Sequence, residues 1–155
     1  MSSEARPIAA RDALRFRFRG ADVALREFSP RATALDWLRE EMGAKGTKEG
    51  CAEGDCGACT VVLARLKAGR IVYEPFNACI LLLGQIDGAE LITIEDLAAG
   101  SELHPLQQAM VDAHASQCGF CTPGIVMSLF AAYHSGAPAT YGGLCDQLAG
   151  NLCRC

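Results

Sequence analysis

Nine cysteines in 155 residues constrain this chain more than any other feature, because they fall in clusters and not at random. Cys51, Cys56 and Cys59 stand in a C-x4-C-x2-C run, with Cys79 after nineteen further residues. Cys118 and Cys121 form a C-x2-C pair, and Cys153 and Cys155 a C-x-C pair far downstream. In a small secreted protein such a count would suggest disulfides, but nine is odd and Met1 to Gly20 lacks the apolar stretch of a secretory signal. In a reducing compartment clustered thiols bind metal or do redox chemistry, so a cytoplasmic location is the expectation.

C-x4-C-x2-C followed by a distant cysteine is the spacing of plant-type [2Fe–2S] sites. Three thiolates converging from one short loop require turns that a β-carbon resists, and Gly50, Gly54 and Gly57 punctuate this one. The same loop can aim amide N–H groups at the sulfurs. A zinc site with four cysteine ligands is the alternative, although such sites pair short C-x2–4-C knuckles with one another. No histidine lies near the loop, which disfavours a Rieske-type site. Cys118, Cys121, Cys153 and Cys155 are more ambiguous, since two close pairs also suit zinc. Both pairs border expected helix ends, which would bring the four thiolates together. Cys145 has no near cysteine partner and is expected to be a buried, inert thiol in a helix.

The surrounding pattern changes from strands to helices. Leu14, Phe16 and Phe18 alternate with arginines as in a half-buried strand; Gly20-Ala21-Asp22 is the expected turn, with Val23 and Leu25 on the partner. Thr33 with Asp36 reads as a capping box for a helix that places Leu35, Leu38 and Met42 on one face and stops at Gly43. Strands are expected at Thr60–Leu66, Ile71–Tyr73 and Leu91–Ile94. Pro105 and Thr122-Pro123 open helices, the second with an apolar body from Ile125 to Tyr133. A 135–139 loop leads to a third helix over roughly Tyr141–Leu148. The expected organisation is α+β: a unit over 1–97 followed by an all-helical unit over 98–155.

Composition excludes several function classes. The net charge is −4, with a pI near 5.3 and no basic cluster, which argues against a nucleic-acid partner. No apolar run approaches the roughly 20 residues of a membrane helix. No Ser/His/Asp arrangement or phosphate loop is present. His104 before Pro105 is expected to cap a helix or sit in a loop, and His114 and His134 to lie at helix ends with favourable dipole interactions. Glu49, Glu53 and Asp55 are expected to be solvated loop charges.

These residues resemble the xanthine dehydrogenase family of molybdenum hydroxylases. Gly46-Thr-Lys-Glu-Gly-Cys-Ala-Glu-Gly-Asp-Cys-Gly-Ala-Cys-Thr60 is similar to its first cluster motif, and Gln117-Cys-Gly-Phe-Cys-Thr-Pro-Gly124 to its second. Gly150-Asn-Leu-Cys-Arg-Cys155 resembles the segment carrying the remaining ligand pair. With Asn77-Ala-Cys79 and His104-Pro-Leu-Gln-Gln108, the resemblance runs from roughly residue 12 to Cys155.

The resemblance implies an N-terminal β-grasp, plant-type ferredoxin-like domain followed by an all-α four-helix-bundle-type domain, each with one [2Fe–2S] cluster. Cys51, Cys56, Cys59 and Cys79 would ligate the first, and Cys118, Cys121, Cys153 and Cys155 the second. Gln117 and Cys155 would contact the molybdenum cofactor of a large partner subunit. Electrons would pass from molybdenum through both clusters to FAD, on a partner or on a further part of the chain. No substrate chemistry would reside here. Glu53 and Asp55 resemble the purine-oxidising branch, implying conversion of hypoxanthine and xanthine to urate; aldehyde, N-heterocycle or carbon monoxide oxidation are the alternatives. Relatives continue past Cys155 with a Thr-Gly-Tyr turn and another helix, so a truncated helical domain is expected. A free-standing ferredoxin and a structural zinc module are the rival classes: the first leaves the helical region unexplained, and the second would be colourless.

Overall fold

The computed structural model describes residues 12–136 and 138–155. Residues 1–11 of the expected first unit and Ala137 of the expected 135–139 loop lie outside the described residues.

The alternation of Leu14, Phe16 and Phe18 produces strand β1 (Leu14–Phe18), with those three buried and both intervening arginines exposed. It pairs antiparallel with β2 (Ala21–Leu25). The turn sits one residue earlier than the sequence suggests. Arg19 and Gly20 take φ 52° and 72°, making a two-residue hairpin turn of the kind whose twist matches its strands. A second such turn, Ala68-Gly69 at 48° and 77°, joins β3 (Thr60–Lys67) to β4 (Arg70–Asn77). That fourth strand is longer than the expected Ile71–Tyr73, because it pairs with β3 along its full length.

β5 (Glu90–Ile92) lies at the centre of a five-stranded mixed sheet ordered β2-β1-β5-β3-β4. It runs parallel to β1 and antiparallel to β3.

The sheet is covered on both faces, which explains why β3 reads as an unbroken apolar run. On one face lies the helical turn α1 (Ala34–Asp36), capped by reciprocal bonds between Thr33 and Asp36. It continues into a wider π-type segment, Trp37–Glu41, closed by a Met42 N–H to Trp37 carbonyl bond. Trp37 packs edge-on against Phe16 and Phe18, with ring centroids 5.1 and 5.2 Å away. The wider turn rotates Met42 off the buried face, so it is exposed where a regular helix would bury it beside Leu35 and Leu38.

The opposite face is covered by α3 (Thr122–Ser135), whose Met127, Phe130 and Ala131 bury against Val62. Tyr73 from β4 meets Phe130 edge-on, with ring centroids 5.7 Å apart. Each large side chain buried in these two layers contributes about 1.5–3 kcal/mol. Of the C-terminal elements, α3 is therefore the one that packs on the sheet.

α2 (Pro105–Asp112) is capped by His104, whose Nδ1 accepts from Leu106 N–H at 3.2 Å, as the sequence suggests. α4 (Tyr141–Gln147) has no buried residue. Cys145 is accordingly exposed and not buried, because its helix borders the molecule without entering a core. His134 lies in the last turn of α3, as the sequence suggests, but its surroundings are aromatic. It stacks on Tyr73 at 4.2 Å, and its pKa is lowered by desolvation and by nearby His104, so packing and not a charge–dipole contact explains it. Among the described residues no helix is long and apolar enough to cross a membrane.

Candidate metal centres

The first cysteine loop is tied to the fold at its entry and at its exit. Gly46 N–H donates to Glu95 Oε1 at 2.7 Å and Arg39 donates to the Thr47 carbonyl at 3.0 Å, fixing its entry. Its exit is β3. Cys79 is placed by the neighbouring residue: Ala78 N–H bonds the Cys59 carbonyl at 3.2 Å, and the Ala78 carbonyl accepts from Leu35 at 3.0 Å. Asn77 Nδ2 also holds the Gly54 carbonyl at 2.5 Å.

Inside the loop the amides point at sulfur. Asp55 and Cys56 N–H both donate to Cys51 Sγ at 3.3 Å, Cys51 N–H to Cys56 Sγ at 3.4 Å, and Gly54 N–H to Cys79 Sγ at 3.2 Å. Gly54 and Gly57 take φ 84° and 68°, and Ala52 shares the left-handed region at 58° without a glycine's freedom. Such a residue costs of order 1–3 kcal/mol and persists only where its surroundings impose it. Gly50 has a different reason, since a β-carbon there would lie 2.8 Å from Cys56 Sγ.

These surroundings split the thiols. Amide bonds from Glu53, Cys56 and Asp55 draw the Cys51 pKa down to about 6, favouring thiolate. Burial pushes Cys59 up to about 12, against a backbone hydrogen bond from Cys79 that favours the thiolate, while the Cys79 side chain opposes it. A buried thiol of this kind gains a favourable charged form only beside a cation or metal. Glu49, Glu53 and Asp55 are exposed around the loop, as expected.

The second set is assembled from two chain segments. Ser116 Oγ and Thr122 Oγ1 lie 2.8 Å apart across the Cys118–Cys121 loop, and Gly119 supplies its turn at φ 82°. Cys118 Sγ and Cys155 Sγ are 3.2 Å apart. Desolvation, followed by neighbouring Cys153, raises the Cys121 pKa. Cys118, Cys153 and Cys155 are exposed, and so is Gln117. Cys145 joins neither set.

The two sets adjoin. A cleft of about 240 Å³ runs between them, lined by Cys51 and Cys56 on one side and by Cys118, Cys121 and Cys155 on the other, with Phe120 in its wall. Among the described residues, no three His, Cys, Asp or Glu side chains close to single-ion geometry. The donor chemistry fits iron–sulfur clusters: two groups of four thiols, one of them met by peptide N–H groups that can stabilise charge on sulfur. Sequence reasoning anticipates the cysteines and the glycine loop. It misses Ala52, and it includes Asn151 in a motif without showing that this side chain joins the two sets.

Comparison with known proteins agrees with this chemistry. Residues 93–155 match the family described as "[2Fe-2S] binding domain". Xanthine dehydrogenase of Blastobotrys adeninivorans is 43% identical over 145 residues, covering 92% of this chain and 10% of that protein. Aldehyde oxidase 1 of Oryctolagus cuniculus is 39% identical, covering 92% and 11%. The chain thus spans about a tenth of the length of these curated relatives. Among solved structures, a chain of quinoline 2-oxidoreductase from Pseudomonas putida 86 superposes with a TM-score of 0.79 at 32% identity, covering 92% of this chain and 83% of that one. The mixed sheet and helices resemble the iron–sulfur domains of molybdenum hydroxylases. By these matches the chain belongs to the xanthine dehydrogenase/aldehyde oxidase family of molybdenum hydroxylases, as an iron–sulfur part of such an oxidoreductase.

Proposed function

We propose that this chain carries two [2Fe–2S] clusters and relays electrons from a molybdenum cofactor on a large partner subunit to FAD on a further subunit or domain. Cys51, Cys56, Cys59 and Cys79 hold one cluster in a β-grasp ferredoxin-like unit, residues 1–97. Cys118, Cys121, Cys153 and Cys155 hold the other in a helical unit, residues 98–155, of four-helix type. The observation that carries the reading is the gathering of eight of the nine cysteines at two adjoining places, one lined by amide donors to sulfur.

The clusters supply one-electron redox chemistry when bound. The chain's own residues do the rest. The Cys51 loop presents a thiol already biased toward thiolate, and its N–H groups favour added negative charge on the sulfurs. Buried Cys59 and Ala58 exclude water from the inner side. Exposed Gln117 and Cys155 present a hydrogen-bonding amide and a sulfur toward the partner's cofactor. Reduced thiols are kept so in a compartment such as the cytoplasm.

Xanthine and hypoxanthine are the substrates this reading assigns to the assembled enzyme, on the Glu53 and Asp55 loop pattern. Aldehyde oxidation is the second reading, favoured by relatives of nearly equal identity. Steady-state assays of the complex with xanthine and with an aromatic aldehyde decide between them.

The relay itself is tested by iron and acid-labile sulfide analysis with EPR of the dithionite-reduced protein. Two rhombic signals, with metal and sulfide sufficient for two clusters, are expected. Zinc without sulfide would overturn the proposal.

A further inference from the structure

The two cysteine sets are joined through one side chain. Asn151 Oδ1 accepts from Ser128 Oγ at 2.6 Å, while its Nδ2 donates to the Gly57 carbonyl at 3.1 Å and to Thr60 Oγ1 at 3.3 Å. Ser128 is a buried residue of α3, the helix that starts directly after Cys121. Gly57 follows Cys56, and Asn151 stands two residues before Cys153. Packing at this junction has no slack. A β-carbon on Gly57 would collide with the Gly150 carbonyl oxygen and the Asn151 amide, and one on Gly124 would strike the Gly57 carbonyl.

Next to this clamp, Leu152 N–H donates to the Cys56 carbonyl at 3.0 Å. The bond completes a short covalent and hydrogen-bonded route: from Cys56 through its own carbonyl to the Leu152 amide, then one peptide on to Cys153. No side chain other than those of the two cysteines takes part. Electron tunnelling weakens steeply wherever a route must cross a gap without bonds, so the presence of this hydrogen bond decides how well the route conducts.

We propose that Asn151 is a positioning residue that sets the rate of electron exchange between the two centres, by locking the Leu152–Cys56 hydrogen bond. The proposal rests on the two-cluster reading. One electron leaves the centre on the second set, which is oxidised, and reaches the centre on the first, which is reduced. No bond forms or breaks and no proton moves. Asparagine suits the position because it offers an acceptor to Ser128 and two donors to Gly57 and Thr60 from one planar group.

The test uses the holoenzyme assembled with its partners, comparing wild type with Asn151→Asp and Ser128→Ala. Aspartate keeps the acceptor and turns a second oxygen toward the Gly57 carbonyl. Spin–spin splitting between the two dithionite-reduced centres, and electron exchange after a pulse of photoreductant, are measured with metal content and midpoint potentials. In protein that retains both clusters, Asn151→Asp is expected to slow the exchange severalfold and to reduce the through-bond part of the splitting while the dipolar part remains. Because the new carboxylate also shifts the potentials, rates are compared at equal driving force. Ser128→Ala, which frees only one end of the clamp, is expected to show the same change to a smaller extent. It decides the matter if the aspartate variant loses a cluster. Unchanged splitting and rate in a variant that retains both clusters overturn the proposal. A wild type without two clusters overturns the reading beneath it, and that failure is recognised by metal content alone.

Discussion

The two cysteine sets solve the same problem with very different amounts of support. The first is a loop that runs directly into β3 and is joined by Cys79 from just past the end of β4, with Cys59 buried and four amide-to-sulfur bonds among its residues. The second joins a loop before α3 to a segment after α4, with three of its four cysteines exposed. Preorganisation in the first comes from the fold. In the second it comes from α3 on the sheet and from Asn151. Contacts that hold a site together need not lie near its sulfurs, and the weaker site is the one that distant substitutions should empty.

The largest expected effect follows from α3. Phe130→Ala should cost about 3–5 kcal/mol by deleting a buried aromatic, and it should abolish the EPR signal of the second set before that of the first. Urea denaturation followed by both signals checks it. Equal loss of the two would break the contrast.

Gly57→Ala is expected to be next. The residue sits at φ 68°, and the added carbon meets the Gly150 carbonyl, so backbone strain alone costs of order 1–3 kcal/mol. Although the change lies in the first loop, the second cluster should be depleted more. Iron content and Tm of the purified variant test this, and a normal complement with unchanged Tm would remove Gly57 from the junction.

A smaller effect concerns pH. His134 has a lowered pKa through desolvation and through His104, so the unfolded chain binds its proton more readily than the folded one. Stability from this group is therefore fully present above the ordinary imidazole value of about 6.5 and is lost as pH falls through the lower folded pKa. Tm measured across that range should decline on acidification in wild type and decline less in His134→Gln. The difference should be small because the residue as a whole is exposed. Least affected of all should be Cys145→Ser, with stability within about 0.5 kcal/mol of wild type and unchanged iron and sulfide. A lost cluster there would mean that the ninth cysteine belongs to a site.

Much of this is legible from local pattern. Period-2 alternation locates β1, the Thr33–Asp36 box locates α1, and prolines locate the starts of α2 and α3. Local pattern fails where the decisive neighbour is distant. It misplaces Met42 because a π-type turn is imposed by packing around Trp37, and propensity does not reveal it. It misplaces Cys145 because burial of α4 depends on whether another element covers it. His134 reads as a helix-end charge until Tyr73, sixty-one positions earlier, is seen stacked on its ring.

Sequence alone determined the chemistry on offer: which thiols are available, how many can converge from one loop, and where glycines leave room for them. Those are matters of covalent spacing and residue type, which do not change on folding. Only the tertiary structure decided that α3 lies on the sheet, that the two sets share a cleft, and that Asn151 binds both sides of it. Such contacts join residues about ninety positions apart. Their energy comes from packing and from satisfying buried polar groups, so no local stretch of sequence carries their signature.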